Sequence, residues 1–223
     1  MTMNAFDILW QYRQAFFDGF VVTCELVILT AAGGSIAGIT LEWACTQLGG
    51  HLRRGVDAVA FCVSAIPALV ILFWFHYPAQ ALVGVVVPPF WTALTTLLII
   101  NIFAVYRIVA DAVRDFPKQY VAIGMVCGLK RTHIIRYIQL PLLLRSAFPR
   151  WIDQQVVILQ TSVFASLIGV EETFRVAQRI NSVVYHPVVI YTSMALIFLA
   201  TAGGGMYCAQ ILRSKFHRDL SER

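Results

Sequence analysis

The sequence predicts an all-α membrane protein with five spanning helices in one domain, and three observations lead there. Of its 223 residues, 59% are apolar and only 13% charged, too few polar side chains for an ordinary water-facing domain. The apolar residues gather into five runs, 20–45, 56–75, 91–109, 151–170 and 187–211, each near the roughly 20 residues that cross a hydrocarbon core. The third observation gives a direction. Arg53, Arg54, Arg107, Arg114, Lys118, Lys130, Arg131, Arg136, Arg145 and Arg150 fall in connectors on one side, and Arg213, Lys215, Arg218 and Arg223 lie in the tail. Only Arg13, Arg175 and Arg179 fall on the other side, and the connector 77–90 carries no charge. Lysine and arginine accumulate in cytoplasmic connectors, so the N-terminus is expected outside and the C-terminus inside. The net charge of +5 is thereby a topological signal, and nucleic acid is not expected as a partner.

Residues 1–19 alternate aromatic and polar side chains and are expected along the outer membrane boundary. The five-helix domain follows over 20–212. In its first run Gly34 and Gly38 are four apart, a small-residue pair that lets another helix approach closely. Gly33 to Gly38 also has the spacing of a phosphate loop, but Ile39-Thr40 stands where lysine and serine or threonine are required. No nucleotide site is therefore expected. Glu25 and Glu42 interrupt the same run. Glu42 lies near the inner end, within reach of Arg53 and Arg54, and is read as structural. Glu25 lies close to the outer end and stays open between a structural and a functional reading, since ionisable groups in a membrane default to the latter.

The second run contains Pro67, which kinks a helix and frees a carbonyl, so a discontinuity is expected there. The third carries Asn101 and ends near Arg107, whose side chain is expected to snorkel to the surface. Between the third and fourth runs, over 111–141, lies a segment that reads as two short helices. Pro117 can open the first, Gly128 can end it in the left-handed conformation, and Leu140-Pro141 is expected to stop the second. The result is a helix–Gly–helix elbow on the cytoplasmic side, with Val121, Ile123, Met125 and Val126 available for apolar contact and Lys130 and Arg131 at its rim.

The fourth run is the least apolar. Asp153 and Gln160 are seven apart and share a helical face, with Gln154, Thr161 and Ser162 nearby. Lipid cannot satisfy such groups, so this stripe and Asn101 are candidates for a translocation path, with helix–helix hydrogen bonding as the alternative. After Gly169 the segment 170–179 reads as a short amphipathic helix outside the membrane. The last run carries Gly203-Gly204-Gly205, read as a packing surface, and a basic tail, 213–223, closes the chain. Five scattered cysteines and five scattered histidines show neither metal-ligand nor catalytic spacing. No metal, cofactor or enzymatic activity is expected.

The elbow resembles the signature loop of permease subunits of bacterial ABC importers, written Glu-Ala-Ala, three residues, Gly, nine residues, Ile, one residue, Leu-Pro. Gly128, Ile138, Leu140 and Pro141 keep that spacing, while Ala122, Ile123 and Gly124 occupy the Glu-Ala-Ala positions and the glutamate is absent. The flanks resemble the polar amino acid permeases: Arg145 and Pro149 follow Leu-Pro, then Ser166-Leu-Ile-Gly169-Val-Glu-Glu172. Other positions depart from that group. Ser64-Ala65-Ile66 precedes Pro67 where Arg-Gly-Thr is usual, Arg107 replaces an acidic residue, Gln160 a lysine and Asp153 an asparagine.

The resemblance implies a type I ABC importer permease fold in a bacterial inner membrane. It implies a path for a polar amino acid or related small solute, and coupling to ATP hydrolysis in a separate subunit. The implied partners are two ATPase subunits, a second permease (sister or self) and an external solute-binding protein. Ala122, Ile123, Gly124, Met125, Gly128, Leu129, Lys130 and Arg131 are the positions expected to meet the ATPase. The departures are compatible with this chain being the divergent half of a heterodimer. An ion-coupled carrier or channel is the alternative, with Glu25 and Asp153 as its ion sites.

Overall fold

The computed structural model describes residues 5–221, and every regular element among them is a helix. Residues 1–4, 222 and 223 lie outside the described residues, as do the side chains of Cys208 and of the basic tail residues. A short helix α1 (Ala5–Gln11) leads into α2 (Arg13–Leu48), which neither Glu25 nor Glu42 interrupts. Its buried positions Gly19, Thr23, Leu26, Thr30, Gly34, Gly38, Glu42 and Cys45 recur every three or four residues. That spacing places them on a single stripe.

The second run is broken where proline predicts. Helix α3 (Gly50–Ala65) gives way at Ile66-Pro67 to α4 (Ala68–His76), and α5 (Pro78–Val83) follows. The two arms of this broken span meet at 96°. The third run is α6 (Pro89–Arg114), opened by proline at its first turn. It packs along α2, and there glycine is a steric requirement. A Cβ on Gly34 would lie 2.5 Å from Asn101 Nδ2, and one on Gly38 2.7 Å from the Ile102 carbonyl oxygen.

The elbow consists of α7 (Gln119–Val126) and α8 (Arg131–Ile134). Contrary to expectation, Leu140-Pro141 does not end the second limb. A π-helical turn, Ile135–Gln139, carries α8 into α9 (Leu140–Ser162), with Pro141 in the first turn of α9. The irregular turn already departs from the i→i+4 ladder there, so proline's missing N–H costs little. Pro149 also lies inside α9. The fourth run therefore begins well before residue 151 and ends as a tighter 3-10 turn, Val163–Ile168. Helix α10 (Thr173–Val184) realises the outer amphipathic segment, and α11 (Pro187–Ser221) is the last span.

Three of these helices are individually long and apolar enough to cross a membrane, and the two bent pairs raise the number to five. One core cluster joins α2, α4, α6 and the 3-10 turn through Leu26, Leu72, Leu94 and Ile168. A second ties α1, α2, α10 and α11 together through Ile8, Phe16, Val176 and Ile190. A third closes the other end of α2 and α6 through Cys45, Ala60 and Tyr106. Gly203, Gly204 and Gly205 stand apart. They are exposed and a Cβ on any of them meets nothing, so within the described chain they are not a packing surface.

Candidate functional site

The elbow presents apolar side chains to the outside. Ile123 is 59% exposed, Met125 61% and Val126 88%, with Leu129 beside them. Ala122, Lys130 and Arg131 are exposed as well. Gly124 is the buried exception: a Cβ there would come within 3.0 Å of Ile134, so its absence lets α7 lie directly on α8. Gly128 turns the chain between the limbs with φ 74°, a region that costs other L-residues roughly 1–2 kcal/mol. Its surroundings are open, so the requirement at Gly128 is conformational.

The membrane-depth residues divide into two groups. Asp153 and Gln160 are exposed on α9, and Val157, Phe164 and Leu167 continue the same exposed stripe. Neither Asp153 nor Gln160 bonds to a described residue. Glu25 is likewise exposed and unpaired among the described residues, on a different helix. The other candidates turn inward. Asn101 is fully buried and donates from Nδ2 to the Thr30 carbonyl at 2.9 Å. Ser162 is buried and donates to the Leu159 carbonyl, while half-buried Thr161 donates to that of Val157. Gln154 is half-buried. The space beside Thr161, between α4, α6 and the end of α9, holds only about 10 Å³, room for about one water molecule. No solute fits there.

Several partners were not apparent from the sequence. Gln155, passed over beside Gln154, meets Asn101 at 3.4 Å and so joins α9 to the α2–α6 contact. Trp151 Nε1 donates to Ser35 Oγ at 2.8 Å, a second tie between α9 and α2. Arg107 donates to Ser64 Oγ at 2.9 Å, reaching the broken end of α3 in place of simple snorkelling. Glu42 pairs with Arg53 at 2.6 Å, as a structural reading requires, whereas Arg54 donates to the Gly50 carbonyl.

Glu172 is the N-cap of α10, accepting from the backbone N–H groups of Phe174 and Arg175 at 2.9 Å each. It is fully buried. Thr173 and Thr23 meet hydroxyl to hydroxyl at 2.8 Å beside it, fastening α10 to α2.

Residues 34–212 match the family model of the binding-protein-dependent transport system inner membrane component. The chain belongs to that family. This permease is 28% identical over 193 residues to the glutamine transport system permease protein GlnP of Escherichia coli K12, a match spanning 86% of this chain and 88% of that protein. Its fold superposes on a chain from the crystal structure of an amino acid ABC transporter with histidines. The TM-score is 0.85 at 19% identity, over 96% of this chain and 100% of the other. It also superposes on the MetNI methionine ABC transporter in an inward-facing conformation. There the TM-score is 0.74 at 15% identity, over 92% and 98%.

The fold is thus that of a type I ABC importer permease, as the elbow predicted. As the inner membrane component of such a system, the permease is not catalytic, and ATP hydrolysis belongs to a separate subunit. Nothing in the family or the fold favours the ion-coupled alternative.

Proposed function

We propose that this permease imports a polar amino acid or related small solute, pairs with a second permease, sister or self, and receives its driving force through the elbow. The observation that carries the proposal is the bare apolar tip of Ile123, Met125, Val126 and Leu129. An exposed apolar patch on a rigid bend outside the spans marks a partner surface. Two ATPase subunits would each take one elbow of the permease pair, with Lys130 and Arg131 at the rim. The glutamate usual at Ala122 is missing, so apolar contact carries more of this joint. An external solute-binding protein would deliver the solute. The similarity to a glutamine permease supports an amino acid as the cargo.

The path is assigned to the exposed stripe of α9. A carboxylate and an amide on a spanning helix require protein or water, and Asp153 and Gln160 are exposed with no bonding partner among the described residues. A second permease facing α9 would enclose the path between the two subunits. The positive-inside balance supports an outside N-terminus and a cytoplasmic C-terminus. The departures at Arg107, Asp153 and Gln160 support a divergent half of a heterodimer, testable by copurification with operon neighbours.

The deciding measurement is ATPase stimulation by the assembled transporter. Gly128→Asp is expected to abolish stimulation while the permease still reaches the membrane, and normal stimulation in that variant would remove the elbow as the coupling element. Asp153→Ala should reduce solute uptake about tenfold or more with assembly intact, the effect of losing a charge-assisted contact. Parallel loss of assembly would return Asp153 to a structural role. Orientation has its own readout: Cys127 is exposed on the elbow, so an impermeant maleimide should label it in inside-out vesicles and not in intact cells.

A further inference from the structure

Helix α3 lies against α2 and α6 with little apolar contact. Among the described residues, Ala60 alone is buried on α3, against ten on α6. Polar ties hold the rest. Arg53 pairs with Glu42 of α2 at 2.6 Å, the Tyr106 hydroxyl of α6 donates to Asp57 at 2.7 Å, and Arg107 donates to Ser64 Oγ at 2.9 Å. Residues 53, 57, 60 and 64 follow at intervals of four, three and four, which places them on one face of α3. Both ends of the helix are joints. At one, Gly49 has φ 95°, and both Gly49 and Gly50 stand in open surroundings. At the other, the Ile66 N–H closes on the Cys62 carbonyl and the ladder of α4 starts afresh from Pro67. No backbone hydrogen bond among the described residues crosses Ile66-Pro67.

We propose that α3 is a flap, hinged at Gly49-Gly50 and Ile66-Pro67, that lifts from α2 and α6 during the transport cycle and lets water reach the floor beneath it. Motions of this kind concentrate their backbone change in a few residues at the ends of a rigid element. Polar ties suit a surface that opens, because water replaces each bond at small net cost. The closed form also carries a penalty. Glu42 is 2% exposed, and its Oε2 is buried with no partner among the described residues. Water entering under α3 would supply the missing donor. The floor holds its own reporter: Cys45 is buried in one cluster with Ala60 and Tyr106.

The place of this motion in a cycle rests on the proposed import function, whereas the hinge itself does not, and the two are tested apart. The experiment follows alkylation of Cys45 by N-ethylmaleimide in the full-length chain in detergent, with each cysteine read separately by mass spectrometry. Without nucleotide, Cys45 should react far more slowly than exposed Cys62. Tyr106→Phe removes one bond to a carboxylate and keeps the ring, so the Cys45 rate should rise about tenfold. Ser64→Ala should raise it less. Should Tyr106→Phe melt early, Ser64→Ala reads the same hinge from an exposed position. Cys24, about 30 Å away along α2, should keep its rate throughout. An unchanged Cys45 rate in the variants overturns the flap, and a parallel rise at Cys24 overturns it in favour of a loosened bundle. In the transporter assembled with its ATPase, ATP should change the Cys45 rate several-fold. Equal rates with and without ATP, while hydrolysis is stimulated normally, also overturn the proposal. Failure of the import reading shows separately, as ATPase activity that never responds to the permease, and the nucleotide-free comparison then still decides the hinge.

Discussion

The contact of α2, α6 and α9 and the elbow both depend on glycine, for opposite reasons. At Gly34 and Gly38 the backbone conformation is ordinary and space is what runs out, because Asn101 and the Ile102 carbonyl occupy the place of any Cβ. At Gly128 space is plentiful and the backbone angle is what excludes other residues. The buried contact also ties its helices through polar groups, Asn101 with the Thr30 carbonyl and Gln155, Trp151 with Ser35, although the Thr30 hydroxyl itself has no partner among the described residues. The elbow leaves its apolar groups open. One region covers its surface within the chain, and the other leaves apolar side chains exposed.

The largest effect should come from Gly38→Val. Its Cβ would meet backbone of α6, which cannot yield as a flexible side chain can, and overpacking of this kind costs about 1–3 kcal/mol or more. Loss of monodisperse protein or a sharply lower Tm in detergent is expected. A wild-type melting curve would mean that α2 and α6 can separate without loss.

An intermediate effect tests whether the α2–α10 junction behaves like the buried contact. Glu172 accepts from the backbone N–H groups of Phe174 and Arg175 at the start of α10, and losing such a cap costs about 0.5–2 kcal/mol. Glu172→Ala should therefore lower Tm in detergent, with Glu172→Gln, which keeps an acceptor, lying between it and wild type. An unchanged Tm in Glu172→Ala would show that this carboxyl does not govern the junction.

The smallest effect belongs to Gly128→Asn. Asparagine and aspartate both tolerate the left-handed region better than most residues, so Tm should hardly move in either variant; ATPase stimulation should survive in Gly128→Asn, whereas Gly128→Asp also sets a charge beside the apolar tip. A large loss of Tm would place a buried contact at Gly128 that the open surroundings contradict.

Local chemistry made several of these features legible in the sequence. Pro67 announced the break between α3 and α4, the Gly34–Gly38 spacing announced the close helix pair, and the interval from Gly128 to Pro141 announced the elbow. Features that depend on distant contacts were not legible. Nothing near Gln155 distinguishes it from Gln154 until α6 brings Asn101 alongside. Glu172 looks like an exposed acid until Thr23, about 150 residues earlier, seals the junction. Pro141 read as a stop because the π-turn ahead of it leaves no mark in composition. The exposed stripe of α9 was half legible: the Asp153–Gln160 spacing placed the two on one face, but not Ser162 or Asn101 in the interior.

That π-turn, Ile135–Gln139, has a consequence for aim. Such a turn fits one residue more into about one revolution than regular winding does, whereas each residue of regular helix advances it by about 100°. The surplus residue is thus slack taken up on the spot, and the bearing of everything downstream survives it. Deleting a single residue between 135 and 139 would restore regular winding and leave the carboxylate of Asp153 near its present heading, while the same deletion between 142 and 150 would swing it roughly a quarter-turn around the axis.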